Sequence, residues 1–215
     1  MTEKENSCTT LIFLFLLSLL VFDIIAWDWW RHGPSSQLDL MILRHTEKVV
    51  STYPGFSQFL SLAGILGNSY FLGTLVILGG FFLARGKDWP ALLFLLIIVL
   101  LGNLLVEPVK SWFQRPRPLP HLPGARGFSF PSSSAYLAAV VYGSLAFLIS
   151  PHTSKWWSKI ALFLGALTAV ILVGLSRLFL RLHWLTDVLG AYALASSWLL
   201  FNLLVYKKIQ QKWRP

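Results

Sequence analysis

Apolar runs of bilayer-crossing length recur along the chain, at roughly 10–27, 57–84, 89–107, 132–150, 158–176 and 184–206. A helix needs about 20 apolar residues to cross the hydrocarbon of a bilayer. Lipid offers no partner to an open backbone, so only helices and closed barrels survive there. These runs are continuous rather than alternating, which selects the helix. The composition agrees: 55% of the 215 residues are hydrophobic and only 13% are charged, against about a quarter charged in a soluble domain. The expected fold is an all-α integral membrane protein with six transmembrane helices in one bundle. No linker or repeat divides the chain, so residues 1–215 read as a single domain.

Two segments refine this layout. The second run is punctuated by Gly64, Gly67-Asn68 and Gly73. Such residues break a helix into a short piece and a true span, here beginning near Tyr70. Segment 36–53 sets Leu38, Leu40, Met41, Leu43 and Val49-Val50 among polar residues. That pattern predicts a short amphipathic helix on the surface between the first two spans. The first run has only Lys4 before it, offset by Glu3 and Glu5, and is followed by Trp27-Asp28-Trp29-Trp30-Arg31. It reads as a retained span ending in an interfacial belt rather than a cleaved leader. Trp29, Trp30, Trp112 and Trp184 are expected at that level as anchors or pocket walls.

The net charge is +9. The cations flank the apolar runs, so anionic membrane lipids are the expected partners and nucleic acid is not. The eighteen Lys and Arg divide evenly between the two ends of a six-span bundle. Setting aside Lys110, Arg117 and Arg177, which belong to the motifs below, tips the balance toward cytoplasmic termini. The basic turn Arg85-Gly-Lys87 and the basic tail agree. The expected location is then a bacterial inner (plasma) membrane, with the motifs on its outer, periplasmic face. The single Cys8 excludes an internal disulfide and has no metal-ligand spacing. Nothing in the sequence sets an oligomeric state.

Three polar clusters interrupt the apolar pattern, all at the same end of the bundle. The first runs from Lys110 to Arg117-Pro118, stiffened by Pro116 and Pro118. A lysine at a helix end and an arginine on a rigid loop can converge, and phosphate suits a point charge and a planar donor fork alike. The second is Pro131-Ser132-Ser133-Ser134 at the start of the fourth run. Serine caps a helix there, and the first-turn N–H groups with the helix dipole attract an anion. The third is Ser176-Arg177, then His183 and Asp187 opening the last run. Four residues apart on one helical face, a carboxylate can orient an imidazole and leave its other nitrogen free as nucleophile or base. Taken singly, each admits an ordinary structural use: a lipid-anchoring basic patch, a helix cap, a His–Asp pair at a helix start.

Together, in this order, they resemble the signature of the type 2 phosphatidate phosphatase family of membrane lipid phosphatases: K-x6-RP, then PSGH, then SR-x5-H-x3-D. The first and third motifs match at every defined position, and the resemblance extends over nearly the whole chain. It implies that His183 is a nucleophile forming a phosphohistidine and that Asp187 holds and polarises it. It implies that Lys110, Arg117, Ser132, Ser133 (through its N–H) and Arg177 bind the phosphoryl oxygens. It implies no metal and no cofactor, because cations supply the electrostatics. It also implies a lipid phosphate or diphosphate substrate: phosphatidate, phosphatidylglycerol phosphate, polyprenyl diphosphate or a lipid A.

The middle motif departs from the family. Ser133 stands at the family's Gly, and Ser134 at its His, the general acid on the leaving oxygen. A serine hydroxyl is too weak an acid for that work. Two readings of this departure stay open: a phosphatase disabled at one step, or a protein that binds lipid phosphate and turns it over slowly. A non-catalytic lipid-phosphate binder or a lipid carrier is the alternative of another class. A carrier would need charges along a path through the bilayer, where Asp23 and Glu107 are the acidic candidates.

Overall fold

The structure, a computed structural model, describes residues 3–33, 36–119 and 127–213. Arg126 and Arg214, counted above among the flanking cations, lie outside them. Among the described residues the order is α1 (Glu3–His32), α2 (Gln37–Thr52), α3 (Pro54–Ala63), a 3₁₀ turn (Gly64–Gly67), α4 (Ser69–Arg85), α5 (Trp89–Phe113), α6 (Ser133–Ile149), a second 3₁₀ turn (Ser150–His152), α7 (Trp156–Phe179) and α8 (Leu185–Trp213). Five helices are each long and apolar enough to cross a membrane, and the pair on either side of Asn68, bent by 47°, makes a sixth crossing. The protein is an all-α integral membrane protein, as the apolar runs require.

The break in the second crossing falls where glycine allows it. Gly64 and Gly67 lie against Ser176, Val173 and Arg177 of α7, with no room for a side chain. Asn68 then takes an extended conformation and caps α4, its side chain accepting from the Tyr70 N–H at 2.8 Å. α4 therefore starts at Ser69, and Gly73 sits inside it without breaking it. A Cβ there would meet open space.

α6 is the central helix and packs against α4, α5, α7 and α8. Its residues Ala135, Ala138, Val140 and Val141 are fully enclosed. In lipid, apolar burial does not drive helices together, so close van der Waals approach and polar ties matter more. Gly174 supplies such an approach: it admits the Tyr192 ring edge and Val188 of α8 onto the face of α7. α1 packs on α8 and is tied to it by the Ser18 and Ser197 hydroxyls, 2.9 Å apart. Its other faces expose Phe13, Leu16, Leu20 and Ile24, as a lipid-facing helix should.

One element end differs from the sequence expectation in a way that bears on the site. α5 does not stop near residue 107 but runs through Pro108 to Phe113, ending at Gln114 in the left-handed conformation. Proline is tolerated inside a membrane helix, where neighbours re-satisfy the freed carbonyl. The extension puts Lys110 on the buried stripe of Gly102 and Val106, four residues per step. Of the two expected uses, Trp184 takes the pocket wall: it is buried beside His183, its indole N–H donating to the Pro116 carbonyl at 2.9 Å. Trp30 and Trp112 do face outward, at 64% and 74% exposure.

Candidate active site

The C-terminal ends of α5 and α7 and the N-terminal ends of α6 and α8 meet at one end of the bundle. Beyond the left-handed Gln114, residues 115–118 form no regular element. Gln114 and Pro116 are exposed, Arg115 is buried and Arg117 is half-buried. Backbone ties then hold the rest: Ser129 N–H donates to the Arg115 carbonyl at 2.7 Å, and Ser129 Oγ to the Pro116 carbonyl at 3.0 Å. Ser132 N–H donates to the Asp187 carbonyl at 3.1 Å, joining the serine cluster to the His–Asp cluster.

Lys110 and Arg117 converge as their spacing suggested. Lys110 Nζ donates to the Phe128 carbonyl at 3.1 Å, and Arg117 Nη2 reaches the same oxygen at 3.3 Å. Arg117 also donates through Nη1 to the Leu182 carbonyl at 2.6 Å and through Nε to the Gly127 carbonyl at 3.2 Å. These contacts fix the guanidinium against the turn that carries His183.

The imidazole of His183 is buried and its tautomer follows from its neighbours. Nδ1 lies 2.8 Å from the Ser129 carbonyl, which can only accept. Nε2 lies 3.2 Å from Arg117 Nη1, which can only donate. Nδ1 therefore carries the proton and Nε2 presents a lone pair beside a cation. Burial holds the His183 pKa below the ordinary 6.5. The Asp187 carboxylate opposes that shift, and Arg117 and Lys110 add to it. Burial also lowers the Arg117 pKa, with Asp187 opposing.

Asp187 Oδ2 lies 3.4 Å from His183 Nδ1, farther than the Ser129 carbonyl. That oxygen also accepts from the Trp184 N–H at 2.9 Å. Its other oxygen accepts from Arg115 Nη1 at 2.8 Å. The imidazole is thus oriented by a carbonyl and a carboxylate together. Ser129, next to the serine motif, carries no signal in sequence because it acts through its backbone.

The serine cluster forms the N-terminus of α6. Ser132 is the cap residue, but its hydroxyl makes no capping bond and, though buried, has no hydrogen-bond partner among the described residues. Ser133 and Ser134 are half-buried in the first turn, where helix N–H groups are unspent. Arg177 Nη2 donates to the Gly64 carbonyl at 2.8 Å, while its buried Nε has no hydrogen-bond partner. The Arg177 carbonyl in turn accepts from the N–H groups of Leu182 and His183, at 3.0 and 3.3 Å. The donor set of Lys110, Arg117, Arg177 and a helix N-terminus suits an oxyanion of phosphate size.

Arg115, Asp39 and Thr186 form a further cluster that the motifs did not include. Arg115 Nη2 donates to Asp39 Oδ2 at 2.6 Å and Nη1 to Thr186 Oγ1 at 2.7 Å. The one signal for Asp39 was its place three residues after the capping Ser36, and that pattern speaks only of a helix start.

Fold and site together define a helical membrane protein in which Lys110, Arg117 and the N-terminus of α6 gather around a buried histidine. The model of the PAP2 superfamily matches residues 91–212. The chain belongs to that superfamily, the type 2 phosphatidate phosphatases. Among curated proteins it is 37% identical over 132 residues to phosphatidylglycerophosphatase B of Bacillus subtilis (strain 168), covering 59% of this chain and 63% of that one. Among solved structures it resembles the transmembrane PAP2-type phosphatidylglycerolphosphate phosphatase of Bacillus subtilis, with a TM-score of 0.77 and 27% identity over 93% of this chain and 97% of that one. The LpxE of Aquifex aeolicus shares the fold, with a TM-score of 0.56 and 23% identity over 84% of this chain and 98% of that one.

Proposed function

We propose that this chain is a lipid phosphatase acting through a phosphohistidine on His183. The observation that carries the reading is the His183 tautomer, with an Nε2 lone pair 3.2 Å from Arg117 Nη1. A nucleophile needs that lone pair, and an approaching phosphoryl group needs the cation beside it. Lys110, Arg117, Arg177, the Ser132 hydroxyl and the Ser133 N–H hold the phosphoryl oxygens. The Ser132 hydroxyl and Arg177 Nε are buried donors without a hydrogen-bond partner among the described residues. Nε2 attacks phosphorus in line, the bond to the lipid oxygen breaks, and water then releases phosphate from His183. Ser129 and Asp187 hold the Nδ1 proton through both steps.

Ser134 occupies the general-acid position, so the leaving oxygen must take its proton from water and turnover is slowed. The substrate is a lipid phosphate, with phosphatidylglycerol phosphate favoured by the names of the relatives. The chain works as one domain, with its termini in the cytoplasm and the site on the outer face of a bacterial inner membrane. Arg115 supports that orientation: buried in the site, it joins the motif cations that a topological charge count should omit.

Ser134 also favours a second reading, a protein that binds lipid phosphate without hydrolysing it. Phosphate release from phosphatidylglycerol phosphate, phosphatidate and a polyprenyl diphosphate separates the two. An acid-labile, base-stable phosphoenzyme is expected, lost together with release in His183→Ala. Release that persists unchanged in a folded His183→Ala variant refutes the phosphohistidine, and binding of all three lipids with no release from any leaves only the binder.

A further inference from the structure

Asp39 belongs to the amphipathic helix α2, well away in sequence from any motif, yet its side chain is buried as deeply as Asp187. Its Oδ2 accepts from Arg115 Nη2 at 2.6 Å and Thr186 Oγ1 at 2.7 Å, with Ser36 Oγ at 3.2 Å. Its Oδ1 accepts from the Thr186 N–H at 3.0 Å. Arg115 thus lies between two carboxylates, Asp39 on one side and Asp187 at 2.8 Å on the other. Asp39 and His183 also line one small cavity of about 10 Å³.

The charge balance of this trio bears on His183. When Nε2 bonds to phosphorus, the imidazole becomes cationic. The carboxylate able to offset that charge is Asp187, whose Oδ2 is 3.4 Å from Nδ1. Arg115 alone would neutralise Asp187, leaving Arg117 and Lys110 to oppose the developing cation. With Asp39 present, two carboxylates share one guanidinium and the trio keeps a net negative charge toward the ring. We propose that Asp39 is a positioning residue for the reaction: it occupies Arg115, so that Asp187 stays electrostatically available to His183. Helix α2 is then part of the catalytic apparatus as well as a surface helix. This inference rests on the reading of His183 as nucleophile.

The test compares Asp39→Asn with the Asp39→Asn/Arg115→Met double variant, on a polyprenyl diphosphate, whose phosphate leaving group needs least protonation. The single variant keeps an acceptor for Thr186 but makes the trio neutral. Its kcat should fall on the order of 10- to 100-fold, the reach of one charge beside a titrating group, with KM little changed. The charged groups facing His183 are Asp187, Arg117, Lys110 and, behind Asp187, Arg115 and Asp39. Removing one negative charge from this set disfavours the imidazolium, so the acid limb of the rate profile should move to lower pH. The double variant restores the net negative charge and should recover both kcat and the native limb. A purely structural role predicts the opposite, a double variant worse than the single. Glu47→Gln, which cuts the exposed 2.6 Å ion pair between α2 and Arg181, should leave kcat and the limb unchanged.

Unchanged kcat and limb in Asp39→Asn overturn the proposal. So does an equal loss in Glu47→Gln, or a double variant with no recovery. If the single variant does not fold in detergent, the limb of the double decides. If neither folds, the cluster is a folding element and the proposal fails. His183→Ala, run in parallel, must abolish turnover; if it does not, the phosphohistidine reading falls as well.

Discussion

Replacing Ser133 by Gly and Ser134 by His should raise the rate of phosphate release. Ser134 is the second residue of α6 and half-buried. Ser132, two residues earlier, is bonded through its N–H to the Asp187 carbonyl at 3.1 Å, so the helix start is locked to the His183 region. An imidazole at position 134 would share an anion with His183 and could protonate the leaving oxygen. General acid catalysis is worth roughly 10²–10⁴-fold, or about 2.7–5.5 kcal/mol of barrier at 1.36 kcal/mol per decade. The structural cost is small. The new imidazolium meets an unfavourable helix dipole worth about 0.3–1 kcal/mol, which a bound phosphate dianion offsets. Thermal unfolding in detergent should therefore move little. The gain should be greatest on a monoester such as phosphatidate, whose alkoxide leaves poorly, and least on a lipid diphosphate. The assay is phosphate release on both substrates by parent and double variant, with His183→Ala added to the double variant as background. A folded double variant that binds phosphate but releases it within about threefold of the parent on the monoester refutes the general-acid argument.

Other outcomes follow from the same geometry. On the reading of His183 as nucleophile, turnover needs the neutral ring, whose pKa burial, Arg117 and Lys110 hold below 6.5 against the opposing Asp187. The acid limb of kcat/KM, which reports the free enzyme, should lie below pH 6.5 with full activity at neutrality; a midpoint above 6.5 contradicts this. Gly174→Ala would drive a methyl into the Tyr192 hydroxyl and Val188 and should lower stability by about 1–3 kcal/mol. Gly73→Ala, with nothing near its Cβ, should be neutral or raise stability by up to about 1 kcal/mol. Unfolding midpoints of the pair, measured in the same detergent, check both.

The sequence exposes the parts of this protein whose physics is local. Bilayer length and continuous apolarity define the helices, and a 3₁₀ turn falls at Gly64–Gly67 because glycine admits α7 there. Lys110, Arg117, His183 and Asp187 are legible because each lies at or just beyond a helix end, where an ionisable group is out of place unless it has work to do. Ser129 is not legible, since its carbonyl rather than its side chain receives the His183 proton. Arg115 hides for another reason. It sits two residues from Arg117 in the loop after α5, and only the packed structure distinguishes a guanidinium sealed at 1% exposure from a half-buried one beside His183.

Asp39 shows why hydrophobic patterning misleads at this end of a membrane protein. In a soluble protein the polar face of an amphipathic helix points to water and the apolar face inward. In α2 the exposed residues include Leu38, Leu40 and Met41, while Asp39 and Thr46 are buried. The inversion has a physical cause. At a bilayer surface the outside is partly apolar, and the interior against which α2 packs is the charged junction of α8 and the Arg115 loop. A buried guanidinium such as Arg115 is costly unless fully paired, and removing one partner of such a cluster costs about 3–5 kcal/mol. Arg115 is paired with two buried carboxylates, Asp187 and, brought by α2, Asp39. On the role proposed for Asp39, this second carboxylate leaves Asp187 available to His183. The inversion is confined to one stripe: Arg44, His45 and Lys48 of α2 stay exposed, and only Asp39 and Thr46 are buried.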